Sequence, residues 1–523
     1  MKRTSGLLLI MIATFILTGC SFPMLRETSA TPGKASMPEP EFTVEQVVLT
    51  QGFQNTEPRI ELVRKNNRPK LIVSPGILQS TGMEVSKIEK VDDVFNIHLV
   101  NSSYSSADLV IPQITILLSN VSQAEADTLK FKIVNENFTP ISVSHGIVDV
   151  LNKIRSDFRI SSEGYPTIKL VMDDKTPTWV IDYENIYDKA NLEIPLINLR
   201  LKVNANSGEV VESTKSLISS YLDEGNILNF LPGVGMLYSQ KDLESENTIL
   251  VYHNLATGEK TNLYRTLSEI TSARLNENGT AVVLLEKEGE KLTAFTLTLE
   301  DRKAVRIGSE EGINPEHVSW TSTDEIQVIT KFSDNQTQVL SYNTKDGSLG
   351  VTHSFMMDLA TFNVMGDTIL ASEFIGEETN NRILLSDGRN GLRFVDVGFS
   401  PVILSEGLGM HLVNDENSTN NGLHLFNLET LENEYTLDFD IVHASRISQS
   451  ELFVVERLPG KSNFGLHIFN FESREITSIG SLTTRRIYLD LASETIYAND
   501  SITYDSDAKD IIYTINLNNL KQR

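Results

Sequence analysis

The sequence predicts a mainly β protein whose C-terminal part, residues 214–523, is a seven-bladed β-propeller, preceded by a β-rich module and an α+β module. Two observations carry that expectation. From Ile227 to Arg523 a short apolar stretch returns every forty-odd residues, seven times: Met236-Leu237-Tyr238, Val282 to Leu285, Ile326 to Ile329, Thr368-Ile369-Leu370, Met410 to Val413, Leu452 to Val455 and Thr495-Ile496-Tyr497. A second strand follows each copy. In five copies its end carries an asparagine before a polar turn (Asn254, Asn343, Asn427, Asn470 and Asn516), and the other two use Leu297-Thr298-Leu299 and Leu384-Leu385-Ser386. Short strands at a fixed period of this length are the signature of propeller blades, four-stranded sheets that bury their faces only against their neighbours.

The copies begin near Ile227, Ser272, His317, Leu359, Pro401, Val442 and Arg486, and the seventh runs out after its third strand, at Leu517 to Leu520. An unpaired sheet edge is an aggregation hazard, so the missing strand is expected from residues just before the first copy, within Lys215 to Leu222.

At 523 residues with 40% apolar side chains, the chain is long enough for several cores. Its formal charge of -25 disfavours a nucleic-acid partner, whose phosphates require basic patches. The single cysteine, Cys20, excludes an intrachain disulfide and a structural zinc site built on several thiolates. Met1-Lys2-Arg3 is a basic start, Gly6 to Leu17 an apolar run too short to span a bilayer comfortably, and Leu17-Thr18-Gly19-Cys20 closes it. That ending resembles the bacterial lipobox. The resemblance implies a signal peptide over residues 1–19, lipidation of Cys20, and a mature chain held at the extracytoplasmic side of the cell membrane by acyl chains. The competing reading is an ordinary secretory signal or a small anchor helix.

Residues 20–41 are rich in Ser, Thr, Pro and Gly without an apolar period, and read as a flexible tether reaching roughly 25 Å. Residues 42–140 alternate like strands at Val44 to Leu49, Arg59 to Val63, Lys70 to Val73, Phe95 to Val100, Gln113 to Leu118 and Lys130 to Val134. The stretches Leu71 to Gly76, Ser80 to Val85 and Asn96 to Val100 loosely resemble the small domain of the protease-complex protein PrcB, and an immunoglobulin-like sandwich fits the strands equally well. In residues 141–213 the pattern changes. Ser142 or Ser144 can cap a helix reaching Phe158, with Ile147, Val150, Leu151 and Ile154 on one face. Strands follow at Thr167 to Met172, Thr178 to Tyr183 and Leu199 to Val203. This helix, Trp179-Val180-Ile181, and the run Val203 to Val210 containing Gly208-Glu209 resemble a PepSY domain, which implies binding or inhibition beside an extracellular peptidase. Trp179 is read as core.

No nucleophile elbow, zinc helix, phosphate loop or calcium loop occurs in the sequence, and neither catalytic nor cofactor-binding nor metal-binding residues are assigned. Gly233/Gly235 and Gly407/Gly409 are read as blade turns and close strand packing. His253, His424 and His467 fall on third strands, His424 and His467 each three residues before the repeat asparagine, and are read as packing. A metal site would need ligands converging from separate blades. His411, on a second strand, is left without a role. The acidic clusters Asp173-Asp174, Asp415-Glu416 and Asp505 to Asp510 are read as solvated turns.

Two tryptophans cannot supply a motif for every blade, and neither Trp-Asp pairs nor double glycines recur. Leu275 to Val282, with Asn278-Gly279-Thr280 inside it, and more weakly Ser322 to Ile326, resemble the turn-then-strand unit of the divergent TolB-like propellers of the bacterial envelope. The resemblance implies protein binding. The expected function is that of a non-catalytic, membrane-anchored lipoprotein binding an envelope protein or a cell-wall polymer through its propeller. An envelope hydrolase with acids in the funnel and a regulator of an extracellular peptidase are the rivals.

Overall fold

The computed structural model describes residues 40–521, apart from 54, 66–67, 103–107, 161–165, 189–192, 194, 243, 309–312, 314, 334–335, 374–380, 387–390, 414–421, 460–462 and 505–506. The expected signal peptide, Cys20 and all of the tether but its last two residues lie outside them. The chain forms two compact units, one of residues up to Ile186 with Asn198–Ser216, the other of Tyr187–Ile197 with Leu217 onward. Residues 42–140 and most of 141–213 therefore share one unit.

In the first unit, strands β1 (Glu41–Thr50), β2 (Arg59–Lys65), β3 (Arg68–Ser74) and β7 (Leu109–Ser119) form an antiparallel sheet in the order β1-β7-β3-β2, with the short β4 (Leu78–Gln79) also paired to β7. A second sheet holds β5 (Met83–Val91), β6 (Val94–Asn101) and β8 (Lys130–Asn135), the β6–β8 pair running parallel. Leu71, Val73, Ile97, Leu99, Ile114 and Ile116 of these strands are fully buried in one cluster. Strand β5 escapes a period-two reading because its polar residues occupy both faces.

The helix expected to start at Ser142 or Ser144 spans Ile147–Asp157, with Gly146 as its cap residue and no side-chain cap bond. The residues before it are held by backbone bonds to segments remote in sequence, Ile141 N–H to Ile77 O at 2.7 Å and His145 N–H to Ala205 O at 2.9 Å, which delays the helix. Ile147, Val150 and Ile154 are its buried face. The accompanying sheet runs in the order of strands Val210–Leu217, Leu196–Asn204, Thr176–Tyr187 and Thr167–Asp173. Trp179 is fully buried and donates to His145 O at 3.1 Å, as its reading as core requires.

The second unit is a seven-bladed β-propeller. Blade 1 is formed by 226–231, 235–241, 248–254 and 260–266, blade 2 by 269–275, 281–288, 291–298 and 305–306, and blade 3 by 315–320, 325–333, 336–343 and 349–355. Blades 4 and 5 run together as a seven-stranded sheet because one long strand, Leu392–Ser405, ends the first and begins the second. Blade 6 uses 441–446, 451–457, 464–470 and 475–482. The apolar second strands that marked the repeat are buried on both faces, Val282 to Leu285 and Leu452 to Val455 among them, since each blade lies between two others.

The repeat asparagines are turn residues. Asn254 Oδ1 accepts from the Ala256 and Thr257 amides at 2.9 and 3.0 Å, and Asn427 and Asn470 hold their turns the same way. Asn204 of the first unit makes the same turn, accepting from Asn206 and Ser207, with Gly208 N–H on Asn204 O as Gly258 N–H is on Asn254 O. The Gly-Glu run that carried the PepSY resemblance is thus turn chemistry shared with blade 1. The second glycine of each pair is a packing residue: a Cβ on Gly235 would fall 2.2 Å from the Tyr252 ring, and one on Gly409 2.6 Å from Phe426, whereas one on Gly233 or Gly407 would meet nothing within 4 Å.

Blade 7 takes 487–490, 495–504 and 507–516 from the C-terminal end of the chain, and its outer strand is Ser220–Glu224, overlapping the expected Lys215 to Leu222 and lying slightly later. The chain then enters blade 1 at once. Gly225 makes this passage with φ +142 because a Cβ there would lie 2.4 Å from Ser239 O. Asn499, fully buried, fastens the junction: its Nδ2 donates to Gly225 O at 2.8 Å and Ile511 O at 3.0 Å, and its Oδ1 accepts from Ile227 N–H at 3.1 Å. Removing the amide strands three buried backbone groups. Asn499→Ala should therefore destabilise the propeller by about 2–4 kcal/mol, read by chemical denaturation, whereas an unstabilised junction would show less than about 0.5 kcal/mol.

Candidate functional site

Because the strands of each blade alternate in direction, the turns from second to third strand and the crossings into the next blade emerge on one face. That face carries a cleft of ≈ 1440 Å³ across blades 6, 7, 1 and 2. Its floor comes from the start of the innermost strand of blade 1 (Asn226 to Leu228) and from Thr483 to Arg486, and its walls from Lys241, Glu269 and Ala508 to Asp510. Several of the charged groups are held by neighbours in the lining. Lys509 Nζ lies 2.7 Å from Glu224 Oε1, Asn226 Nδ2 donates to Asp510 Oδ2 at 2.8 Å, and Arg486 donates to Asn226 Oδ1 at 3.4 Å. Burial holds the Asp500 carboxyl above its usual range.

Nearer the axis the inner strands present rings and a cation. Arg274 lies 3.2 Å from His317 Nε2, and the Phe362 ring meets His317 edge-on at 6.4 Å. Burial, reinforced by the Arg274 charge, lowers His317 to about 4. Phe230 stacks on Tyr488 at 5.5 Å and His443 meets Tyr488 edge-on, with burial pushing the His443 imidazole below its ordinary value.

The histidines separate into distinct settings. His467 faces Glu456 at 2.9 Å, and His253 lies against the Tyr497 ring at 6.3 Å. His424 instead stands directly opposite His411 in the hairpin of blade 5. Both imidazoles reach Asp396 on the long strand from blade 4: His411 Nε2 at 3.2 Å and His424 Nδ1 at 3.6 Å from the same Oδ2. All three ligand atoms lie within 4.8 Å of one another. Hydrogen bonding from the two rings holds Asp396 well below the usual carboxylate range, and burial pushes His411 down. The sequence reading treated His424 as packing, left His411 without a role and did not single out Asp396. The His411–His424 pairing was accessible from the repeat, since counting back from Asn427 and on from Leu408 sets the two opposite one another. Asp396 has no such signal.

Cys20 lies outside the described residues, and among the described residues no helix is long and apolar enough to cross a membrane. The acidic run from Asp505 lies partly outside them too.

No family model and no curated protein matches the chain. Solved structures resemble it at low identity. The propeller domain of the trilobed protease from Pyrococcus furiosus is 12% identical, covering 61% of this chain and 96% of its own, at TM-score 0.39. An oligogalacturonate lyase from Vibrio parahaemolyticus is 13% identical over 68% of this chain and 98% of its own, at 0.40. TolB from Acinetobacter baumannii is 11% identical over 66% and 77%, at 0.32. The fold is assigned from the chain's own sheet order, not from these likenesses.

His317 supplies a test of the interior. Its folded value lies below the unfolded one, so the unfolded chain takes up the proton first and stability falls as pH drops from about 6.5 toward 4. Between pH 7 and 5 the wild-type chain should lose about 1–2 kcal/mol more stability than His317→Gln, measured by denaturant titration at each pH. Equal losses would show that the ring is hydrated.

Proposed function

We propose that the chain is a non-catalytic, lipid-anchored protein of the extracytoplasmic envelope that binds a partner, a protein or a cell-wall polymer, through the loop face of its propeller. The observation that carries this reading is the open cleft of ≈ 1440 Å³ together with three apolar side chains exposed on the same face. Leu267 and Met356 stand on crossings between blades, each 78% exposed, and Phe332 at the end of a second strand is 64% exposed. Large apolar groups in water near a broad concavity are what a protein partner covers.

The charge arrangement supports binding over catalysis. Glu224 is tied to Lys509 and Asp510 to Asn226, so these carboxylates hold the cleft's shape and are not paired for acid–base work. The lipobox-like ending at Cys20 supports the anchor, and the acidic balance of the chain favours a partner with a basic surface.

The test is capture from envelope extracts on the full chain, comparing wild type with Leu267→Asp/Phe332→Asp/Met356→Asp and with Glu432→Lys on the opposite face. Three charges in an apolar contact should weaken retention of a specific protein by about 100-fold or more while Glu432→Lys leaves it unchanged. Retention unaffected by the triple change, or lost with Glu432→Lys, would place the site elsewhere.

A further inference from the structure

We propose that Asp396, His411 and His424 form a binding site for a divalent transition-metal ion of the zinc type, joining the last strand of blade 4 to the hairpin of blade 5. This inference is independent of the partner-binding reading. Two imidazole nitrogens and one carboxylate oxygen are the donor set that zinc accepts, at bond lengths of about 2.0–2.2 Å. A tetrahedral ion with such bonds sets its ligand atoms about 3.3–3.5 Å apart. The two edges that meet at Asp396 Oδ2, 3.2 and 3.6 Å, fall either side of that value.

The surroundings point the same way. His411 is 1% exposed, its ring fixed between Phe426 at 5.5 Å and the backbone of Gly398, where a Cβ would lie 2.9 Å from the ring. Its Nε2 is thereby aimed at Asp396. The Asp396 side chain is 45% exposed, which gives an ion a route from solvent. In the bound state His411 would use its Nε2 lone pair and keep its proton on Nδ1, and His424 would use Nδ1. The fourth position would belong to water.

The repeat supplies an internal comparison. Asp223, three residues before the first inner strand, stands to blade 1 as Asp396 stands to blade 5: Asn226 pairs with Ser239 and Ile227 with Tyr238 as Phe399 pairs with Leu412. Asp223 accepts from Tyr238 at 2.5 Å and faces the Lys260 ammonium at 2.8 Å. At the equivalent place Asp396 faces two imidazoles. The positive charge that a lysine brings to one junction would come from the metal ion at the other.

The test uses the full chain stripped with chelator and titrated with zinc by calorimetry, with cobalt(II) absorption as a second readout. One ion per chain and the visible bands of four-coordinate cobalt are expected. Asp396→Asn, His411→Asn and His424→Gln should each weaken binding by about 100-fold or more, with circular dichroism confirming the fold. His467→Asn, at the equivalent third-strand position of blade 6, should leave it unchanged. Absence of stoichiometric binding by the wild-type chain, or binding that survives the three ligand changes, would overturn the proposal.

Discussion

Ring closure is the constraint on which the propeller depends. Each blade is a sheet of a few short strands that cannot bury both faces alone, so the ring holds only if every blade has two neighbours. The last blade lacks a strand of its own, and Ser220–Glu224 supplies it by pairing with Ile511 to Thr514. Asn499 then converts that pairing into a joint. One side chain satisfies backbone groups on Gly225, Ile227 and Ile511, so the end of the chain and the entry to blade 1 are bound to the same point. Gly225 is obligatory there because the backbone of blade 1 passes too close for a side chain.

The joint also shapes the cleft. Glu224, Asn226, Lys509 and Asp510 sit on the strands that close the ring, and their mutual bonds line the concavity. Closure and cleft are thus built from the same residues, and a change that loosens one disturbs the other. The apolar Leu267 and Met356, on crossings between blades, and Phe332, at the end of a second strand, lie outside this joint, where exposure serves no packing purpose visible in the propeller. The Asp396 cluster lies at the far side of the ring, where blades 4 and 5 share a strand in place of a loop.

The propeller was legible in the sequence because two of its signals are local. Doubly buried second strands must be mostly apolar, and hairpin turns recurrently use an asparagine whose side chain accepts from the amides that follow it, so both recur with the blade period. The same turn chemistry recurs outside the propeller, at Asn204 and Gly208 of the first unit. The helix start was misplaced because Ile141 and His145 are held by backbone bonds to residues remote in sequence, which no capping pattern reveals. The site was half legible. His411 and His424 can be set opposite one another from the repeat register, but Asp396 comes from the last strand of the preceding blade and no recurring residue type marks it.

Whether the proposed partner seats on the loop face of the propeller is decided by site-specific photocrosslinking in intact cells, with the crosslinker at position 267, 332 or 356 and, on the opposite face, at 432. One common adduct is expected from the first three positions and none from 432. Adducts formed at 432 alone, or from none of the four, would contradict that seating.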